Sequence, residues 1–370
     1  MTYTIVLIAI ILLALISRGL AERWRVPFFL FSCFLILGLL SGFRYQGVTS
    51  DFQVNYRRVL QAYSMSWQET IHYSAGFVHQ IFRKLVAVIF HDPQWYFVLS
   101  SLFMVGMFMR CAKRFSPDVF LFVLLYYAVF SFFVANNVTR QGIAVAVSLM
   151  AWDSLLEKRP IKCAIIMAFA VFIHVSAVFF VPLYFLSHVK FNRNTLYGYI
   201  LLGVAVVVFR SPVVRFFQRF IYSDYTEGSF GTTGSNPLHI ALAALTLFMM
   251  ILYIFREENN SYRMEEPDEY MIRYKNFILH GSFMFIMCYV LSVVHMAMFT
   301  RLAMYFKPCA ILCIIHGIES ERRTRNYHVY RIGVILFAIA WFALMNYSGK
   351  LIPTPYTPFW EFPERLLILP

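Results

Sequence analysis

The strongest constraint on this chain is a series of long apolar runs. A helix needs about 20 mainly apolar residues to cross the hydrocarbon core of a bilayer. Eleven runs approach or exceed that length, and charged residues make up only 14% of the chain, against roughly 25% in soluble domains. The sequence therefore predicts an all-α polytopic membrane protein, a single domain over 1–370 with about 11–12 transmembrane helices. The runs lie at about 2–17, 26–42, 94–109, 118–135, 138–156, 161–187, 195–209, 238–255, 277–295, 300–317 and 331–347.

Basic residues set the expected orientation, because cytoplasmic loops carry an excess of Lys and Arg. The run at 161–187 fits either one long helix or two short helices that meet near His174. With the N-terminus outside and this run turning back, nineteen of the 32 basic residues fall on the cytoplasmic side. We therefore predict twelve passes, with both termini extracytoplasmic and His174 at an outer turn. This layout makes extracytoplasmic loops of 43–93 and 210–237, a charged cytoplasmic loop of 256–276, and an extracytoplasmic tail of 348–370.

The net charge, the cysteines and the absence of known motifs exclude several classes of function. The formal net charge is +13, which in a soluble protein would suggest nucleic acid but here fits basic cytoplasmic loops. The six cysteines lie in or beside apolar runs without a CxxC pair, so we interpret them as small buried side chains. Nucleotide-binding, metalloprotease and hydrolase motifs are absent from the sequence. None of the carboxylates on the predicted outer side forms a DxD pair, which predicts metal-independent chemistry without a cofactor.

Polar residues beside apolar runs are informative, because a charge near a bilayer is costly. Arg44, Arg140 and Arg301 all fall on the predicted outer side. Asn137 and Thr300 are good N-cap residues, so we expect Arg140 and Arg301 at helix starts with free N–H groups and a positive dipole end. With Arg44 they predict a diphosphate site at the outer surface. The alternative is that each arginine only extends to lipid headgroups.

Several neighbouring side chains complete the predicted site. Gln141 follows Arg140, and Tyr305 lies one turn after Arg301, so both are candidate diphosphate ligands. Aromatic rings of the predicted outer segments are candidates for stacking on sugars: Tyr45, Tyr356 and Trp360.

The segments that hold these residues resemble a known family. GFRYQGVTSDFQVNY (42–56), NNVTRQGIAVAV (136–147), FIHVSAVFFVPLYF (172–185), RLAMYF (301–306) and PYTPF (355–359) occur in this order. They are similar to the signatures of the EpsG-like, Wzy-type polysaccharide polymerases. The chain departs from the family pattern at 47–51, where the Gly-Thr-Asp tripeptide of the family is disturbed.

The resemblance implies an enzyme of the bacterial inner membrane whose helical bundle is similar to GT-C glycosyltransferases and to O-antigen polymerases and ligases. Such proteins join oligosaccharide repeat units carried on undecaprenyl diphosphate, after a flippase has delivered them outside. The product is O-antigen, capsule or exopolysaccharide, and a chain-length regulator is an expected partner. Nucleic acid is not an expected partner.

For that reaction we expect an acceptor hydroxyl to attack the first sugar of the donor while undecaprenyl diphosphate leaves. Arg140 and Arg301, assisted by Arg44, would stabilise charge on the departing oxygens. The hydroxyl needs a base, for which His174 and then Asp51 are the candidates. Both have a structural alternative, His174 as a packed histidine at a helix turn and Asp51 as an ion-pair partner of Arg44.

Three other functions remain open at this point. An O-antigen ligase-like glycosyltransferase would use the same donor with a different acceptor. A membrane glycan acyltransferase would want a catalytic histidine near the first spans, and a lipid-linked oligosaccharide transporter would want charge pairs at mid-membrane. The middles of the apolar runs are almost free of charge, which disfavours the transporter.

Overall fold

The computed structural model of the chain describes residues 1–45, 50–72, 76–209, 211, 212, 215, 237–260, 268–294, 298–348 and 356–361. Within these residues the regular structure is helical, apart from one isolated bridge between Arg44 and Pro358. The prediction of an all-α polytopic membrane protein is therefore confirmed. The predicted loop at 210–237 lies almost wholly outside the described residues.

Most neighbouring helices of the described residues are joined by short connections. In chain order they are α1 (Thr2–Arg18), α2 (Glu22–Gly42), α3 (Ser50–Ser64), α4 (Trp67–Ile71), α5 (Phe77–Phe90), α6 (Gln94–Phe115), α7 (Val119–Leu125), α8 (Phe132–Asn137), α9 (Thr139–Leu156), α10 (Pro160–Ile173), α11 (Pro182–Leu186), α12 (Arg193–Val208), α13 (Pro237–Asn260), α14 (Glu269–Val294), α15 (Met298–Leu302), α16 (Lys307–Glu319) and α17 (Asn326–Ser348). A π-helical turn, Tyr126–Phe130, follows α7, and 3₁₀ turns lie at Val175–Phe180, Ala303–Tyr305 and Phe359–Glu361.

The chain divides into two compact units. Unit 1 comprises Met1–Ala151, Ala164–Val175 and Ile335–Pro370, and unit 2 comprises Trp152–Cys163 and Ser176–Val334. In unit 1 a buried hydrogen bond of 2.9 Å joins Ser101 Oγ on α6 to Ser41 Oγ on α2. Small polar residues of this kind hold apolar helices together where lipid supplies no hydrophobic drive for association.

Among the described residues, five helices are long and apolar enough to cross a membrane, namely α2, α6, α13, α14 and α17. A sixth span results if Phe299–Tyr305 and Lys307–Glu319, which meet at 63°, count as one broken span. The same part of the chain holds five shorter apolar helices: Thr2–Arg18, Val119–Val129, Pro160–Ile173, Val175–Leu186 and Arg193–Val208. The apolar run at 161–187 does break at His174, as the sequence predicted. The number of passes and their orientation stay predictions.

Ion pairs in unit 2 join segments that the sequence places on one side of the membrane. Arg256 on α13 pairs with Glu321, just after α16. Lys158, which precedes α10, pairs with Glu269 at the start of α14, and Arg273 lies 3.2 Å from the same carboxylate. All six cysteines lie among the described residues and form no disulfide there, and five are buried. The interpretation of them as buried side chains is confirmed for those five.

Candidate active site

Arg44 lies two residues beyond the end of α2 and is buried, with 4% of its surface exposed. Its Nε donates to the Ser41 carbonyl at 3.2 Å, and its Nη2 donates to the Asn136 carbonyl at 2.9 Å. The guanidinium carbon lies 5.4 Å from the centroid of the Phe52 ring. Burial lowers the pKa of Arg44. A guanidinium so enclosed does not extend to lipid headgroups, and it ties the end of α2 to the segment before Arg140.

The first and last sequence signatures pack together at this point. The Tyr45 amide donates to the Thr357 carbonyl at 2.8 Å, beside the bridge between Arg44 and Pro358. Tyr45 and Tyr356 are half-buried, whereas Trp360 is 60% exposed. Of the three predicted sugar-binding residues, Trp360 therefore presents the most open ring.

The prediction that Asn137 is the N-cap of a helix is wrong. Helix α8 ends at Asn137, and α9 begins two residues later at Thr139. The Thr139 hydroxyl donates back to the Asn136 carbonyl at 3.2 Å, the same oxygen that accepts from Arg44. This shared carbonyl fixes the turn one residue beyond the expected position. Arg140 is consequently the second residue of α9, and it is half-buried.

In the sequence, the apolar residues from Phe77 to Phe90 recur at helical spacing, which predicts an amphipathic helix on the outer leaflet. Helix α5 is amphipathic, but its polar face is the one turned into unit 1. Its exposed residues are large and apolar: Leu85, Val88 and Ile89 are 42%, 43% and 62% exposed. Its buried face carries His79, Gln80, Arg83 and Lys84, with exposures of 2%, 2%, 1% and 6%. This arrangement suits a helix with lipid on one side and a polar site on the other.

The buried polar face of α5 is held by hydrogen bonds to neighbouring helices. His79 Nε2 and the Tyr96 hydroxyl on α6 lie 2.8 Å apart. Arg83 Nη2 donates to Asn55 Oδ1 on α3 at 2.5 Å, and Arg83 Nη1 donates to Gln80 Oε1 at 3.1 Å. The positions of these groups are therefore set by α3 and α6 as well as by α5.

Gly76 brings three segments to one point. Its φ is +80°, a left-handed conformation that glycine adopts without strain. A methyl group added there would lie 3.0 Å from the Ile173 carbonyl oxygen and 3.7 Å from Arg140 Cζ. The first turn of α5, the end of α10 and the start of α9 thus meet here, and His174 directly follows α10.

The electrostatics of His79 show that several cationic groups converge on this place. Burial holds the pKa of His79 well below its usual value, and the charges of Arg83, Arg140, His174 and Arg58 lower it further. We call these five residues the unit 1 cluster. His79 is therefore neutral near pH 7. The arrangement can hold an anion, and it offers two imidazoles beside that anion.

Two other predicted site residues are less well defined. The backbone of Asp51 lies in α3, but its side chain is outside the described residues. Gln141 is 2% exposed, next to Arg140 in the first turn of α9. The proposed roles of both stay predictions.

The prediction that a helix begins at Thr300 is also wrong. Helix α15 begins at Met298 and lasts five residues, so Thr300 lies inside it and Arg301 lies in its last turn. The longer helix α16 starts only at Lys307, because Pro308 fits the first turn of a helix but not its interior. Arg301 is half-buried.

Two sequence signatures meet within unit 2. Tyr305 is 1% exposed, and its hydroxyl lies 3.0 Å from Ser176 Oγ. Ser176 belongs to the signature around His174, and Tyr305 belongs to the signature that begins at Arg301. Whether Arg301 and Tyr305 contact a diphosphate stays a prediction.

Sequence reasoning missed most of the unit 1 cluster. His79 and Arg83 lie in an amphipathic stretch in which only the apolar residues carried a prediction. Arg58 lies in a polar segment without a recognised signature. Spacing was the available signal, since His79 and Arg83 are four residues apart and share one helix face. Among the described residues no group of three or more His, Cys, Asp or Glu side chains is placed to hold a metal ion.

Comparison with known proteins gives one match. Neither the curated proteins nor the solved structures contain a match to this chain. The model of the EpsG family matches residues 27–358. That stretch covers nearly the whole chain and includes every predicted site residue except Trp360. The chain belongs to the EpsG family and is a membrane protein of the polysaccharide-polymerase type.

Proposed function

We propose that this chain joins oligosaccharide repeat units carried on undecaprenyl diphosphate and releases undecaprenyl diphosphate. The reaction takes place on the extracytoplasmic face of the bacterial inner membrane and yields O-antigen, capsule or exopolysaccharide. A flippase supplies the substrate, and a chain-length regulator acts with the enzyme. The observation that carries this proposal is the unit 1 cluster, in which the charges of Arg83, Arg140, His174 and Arg58 act on the buried His79, with Arg140 at the point where α5, α9 and α10 meet.

The reaction needs few groups. The oxygen of an acceptor hydroxyl forms a bond to the anomeric carbon of the donor sugar, and the bond from that carbon to the diphosphate oxygen breaks. The electron pair of the broken bond leaves with the diphosphate, and the hydroxyl proton passes to a base. Because a diphosphate is a stable anion, the main requirement is a set of fixed cations at the departing oxygens.

Arg140 is the principal cation in this proposal, because it is half-buried and lies where the three segments meet. Arg301 is proposed as a second diphosphate ligand. Gln141 and Tyr305, which follow these arginines in the sequence, are proposed as further polar contacts. Arg44 assists by fixing the carbonyl of Asn136 ahead of α9.

The remaining predicted residues are proposed to supply the base and to bind sugars. His174 is the first candidate for the base, since it directly follows α10, which ends beside Gly76, and a neutral imidazole there can accept the hydroxyl proton. Asp51 is the second candidate. The rings of Tyr45, Tyr356 and Trp360 are proposed to stack on sugars, with Trp360 the most exposed of them.

Substitution of Arg140 tests the proposal. In a reconstituted membrane with a lipid-linked repeat unit, Arg140→Ala should slow chain growth about 10²- to 10³-fold, the usual loss for one such contact. Arg140→Lys should retain part of the rate, because the charge stays while the two-pronged geometry is lost. Arg322→Ala is the control, since this side chain is 78% exposed. Long glycan chains made at the wild-type rate by Arg140→Ala would refute the proposal.

The metal-independent mechanism has its own test. If arginines neutralise the diphosphate, chain growth should continue at an unchanged rate after exhaustive treatment with EDTA. Loss of activity that added Mg²⁺ or Mn²⁺ restores would contradict this part of the proposal.

A further inference from the structure

Lys307 is a buried lysine in unit 2 that the mechanism above does not use. It is 2% exposed. Within the part of the chain that the structure describes, its ammonium has neither a hydrogen-bond partner nor an ion-pair partner. Lys84 in unit 1 offers a contrast, because it is buried to a similar degree but donates to the carbonyls of Tyr63 at 3.0 Å and Met65 at 2.6 Å. A buried charge without a partner is strongly unfavourable.

The position of Lys307 increases this cost. It is the first residue of α16, where the helix dipole is positive and repels a cation. Phe306, the residue at the N-cap position, supplies no side-chain hydrogen bond to the first-turn amides. Side chains in a first turn point back toward the helix N-terminus. The Lys307 side chain therefore leaves the helix beside the uncapped N–H groups of Lys307 and Cys309, at the 63° bend between the two helical segments.

A histidine side chain also lies near the start of α16. His239, in the first turns of α13, is close enough to Lys307 for its electrostatics to be affected by the ammonium. His239 is half-buried, and its Nδ1 lies 3.4 Å from Ser292 Oγ. One multiply charged anion would satisfy the ammonium, the helix N-terminus and the imidazole at once.

We propose that Lys307, the first-turn amides of α16 and His239 form a phosphate-binding site in unit 2, and that it takes the diphosphate headgroup of a polyprenyl-linked substrate. A helix N-terminus with a lysine is well suited to phosphate oxygens. The surrounding residues Cys309, Ala310 and Ile311 are fully buried and apolar, which suits a headgroup that arrives on a lipid tail. The identity of the lipid rests on the proposed function, whereas the phosphate chemistry rests on the site itself. Two lipid-linked substrates require two diphosphate positions, and this site supplies the second.

The experiment measures binding rather than turnover. Farnesyl diphosphate is titrated calorimetrically into the protein in nanodiscs, with the wild type, Lys307→Met and Lys307→Arg compared. We expect two sites in the wild type and in Lys307→Arg, with affinity at one of them reduced about 10- to 100-fold in Lys307→Met. Arg140→Ala should instead lose the other site. A wild-type isotherm that Lys307→Met leaves unchanged would overturn the proposal.

Thermal unfolding without ligand separates binding from a structural role. Lys307→Met should raise the unfolding temperature, because it removes a buried charge that lacks a partner, while Lys84→Met should lower it. A large fall for Lys307→Met would show a structural role and overturn the proposal.

Competition identifies the source of the phosphate. Displacement of farnesyl diphosphate by excess inorganic diphosphate supports the proposal, and equally strong displacement by phosphatidylglycerol would overturn it in favour of an ordinary lipid headgroup. If wild-type protein binds as expected but does not extend a lipid-linked repeat unit, the proposed function fails and the phosphate site stands.

Discussion

Arg44→Met asks whether Arg44 mainly fixes the fold of unit 1 or mainly contacts a ligand. Methionine keeps the length of the side chain but removes both donors and the charge. The two charge-assisted hydrogen bonds to Ser41 and Asn136 contribute about 1.5–3 kcal/mol each. The contact with the Phe52 ring contributes about 0.5–2 kcal/mol.

Part of this loss of stability is offset, because the variant no longer buries a cation. Burial of a cation costs several kcal/mol. The Asn136 carbonyl also keeps its hydrogen bond from the Thr139 hydroxyl. We therefore expect a net destabilisation of about 2 kcal/mol, which corresponds to an unfolding temperature about 4–8 °C lower.

Unfolding can be followed with a thiol-reactive dye, because five of the six cysteines are buried and react only when the chain opens. Arg18→Met, at an exposed position in the last turn of α1, is the control and should leave the unfolding temperature unchanged. Loss of chain growth by Arg44→Met at an unchanged unfolding temperature would refute this reasoning and would make Arg44 a ligand contact instead.

Two further changes probe the unit 1 cluster. Because burial and nearby cations lower the pKa of folded His79, the unfolded chain binds its proton first as the pH falls. Stability should therefore drop below the usual histidine pKa, by up to about 1.4 kcal/mol per pH unit. His79→Gln should remove that part of the slope in thermal unfolding scans, whereas the exposed control His72→Gln should not, and equal slopes would contradict the assignment. Gly76→Ala should cost about 1–2 kcal/mol in unfolding free energy, because φ is +80° and the added methyl lies 3.0 Å from a carbonyl oxygen. Gly198→Ala, where an added methyl meets no atom within 4 Å, should be neutral or stabilising, and a similar result at both glycines would disprove the strain.

The sequence was sufficient for the fold class, because the length and spacing of apolar runs are set directly by bilayer thickness. It also located the break at His174. The helix caps failed for a different reason. Cap propensity is a local rule, and at Asn137 a carbonyl shared by Arg44 and Thr139 overrides it.

The site was harder to predict than the fold, because its residues are assembled by tertiary contacts. Nothing in the local sequence around His79 indicates that Arg140 lies close to it. The apolar residues of α5 predicted an amphipathic helix correctly, but the same pattern fits a polar face turned to water or to protein. Lys307 departs from three general preferences at once. A cation at a helix start is disfavoured by the helix dipole, by burial and by the lack of a partner. Such conflicts concentrate at functional sites.

The bridge between the Arg44 segment and residues 357–359 has a consequence for biosynthesis. Tyr45 is translated early, but Thr357 leaves the ribosome on the order of tens of seconds later at typical elongation rates. Until then the amide of Tyr45 and the carbonyl of Phe43 lack the partners they have in the finished chain. An incomplete polypeptide therefore cannot close this part of unit 1, so nascent chains and truncated products lack the finished site.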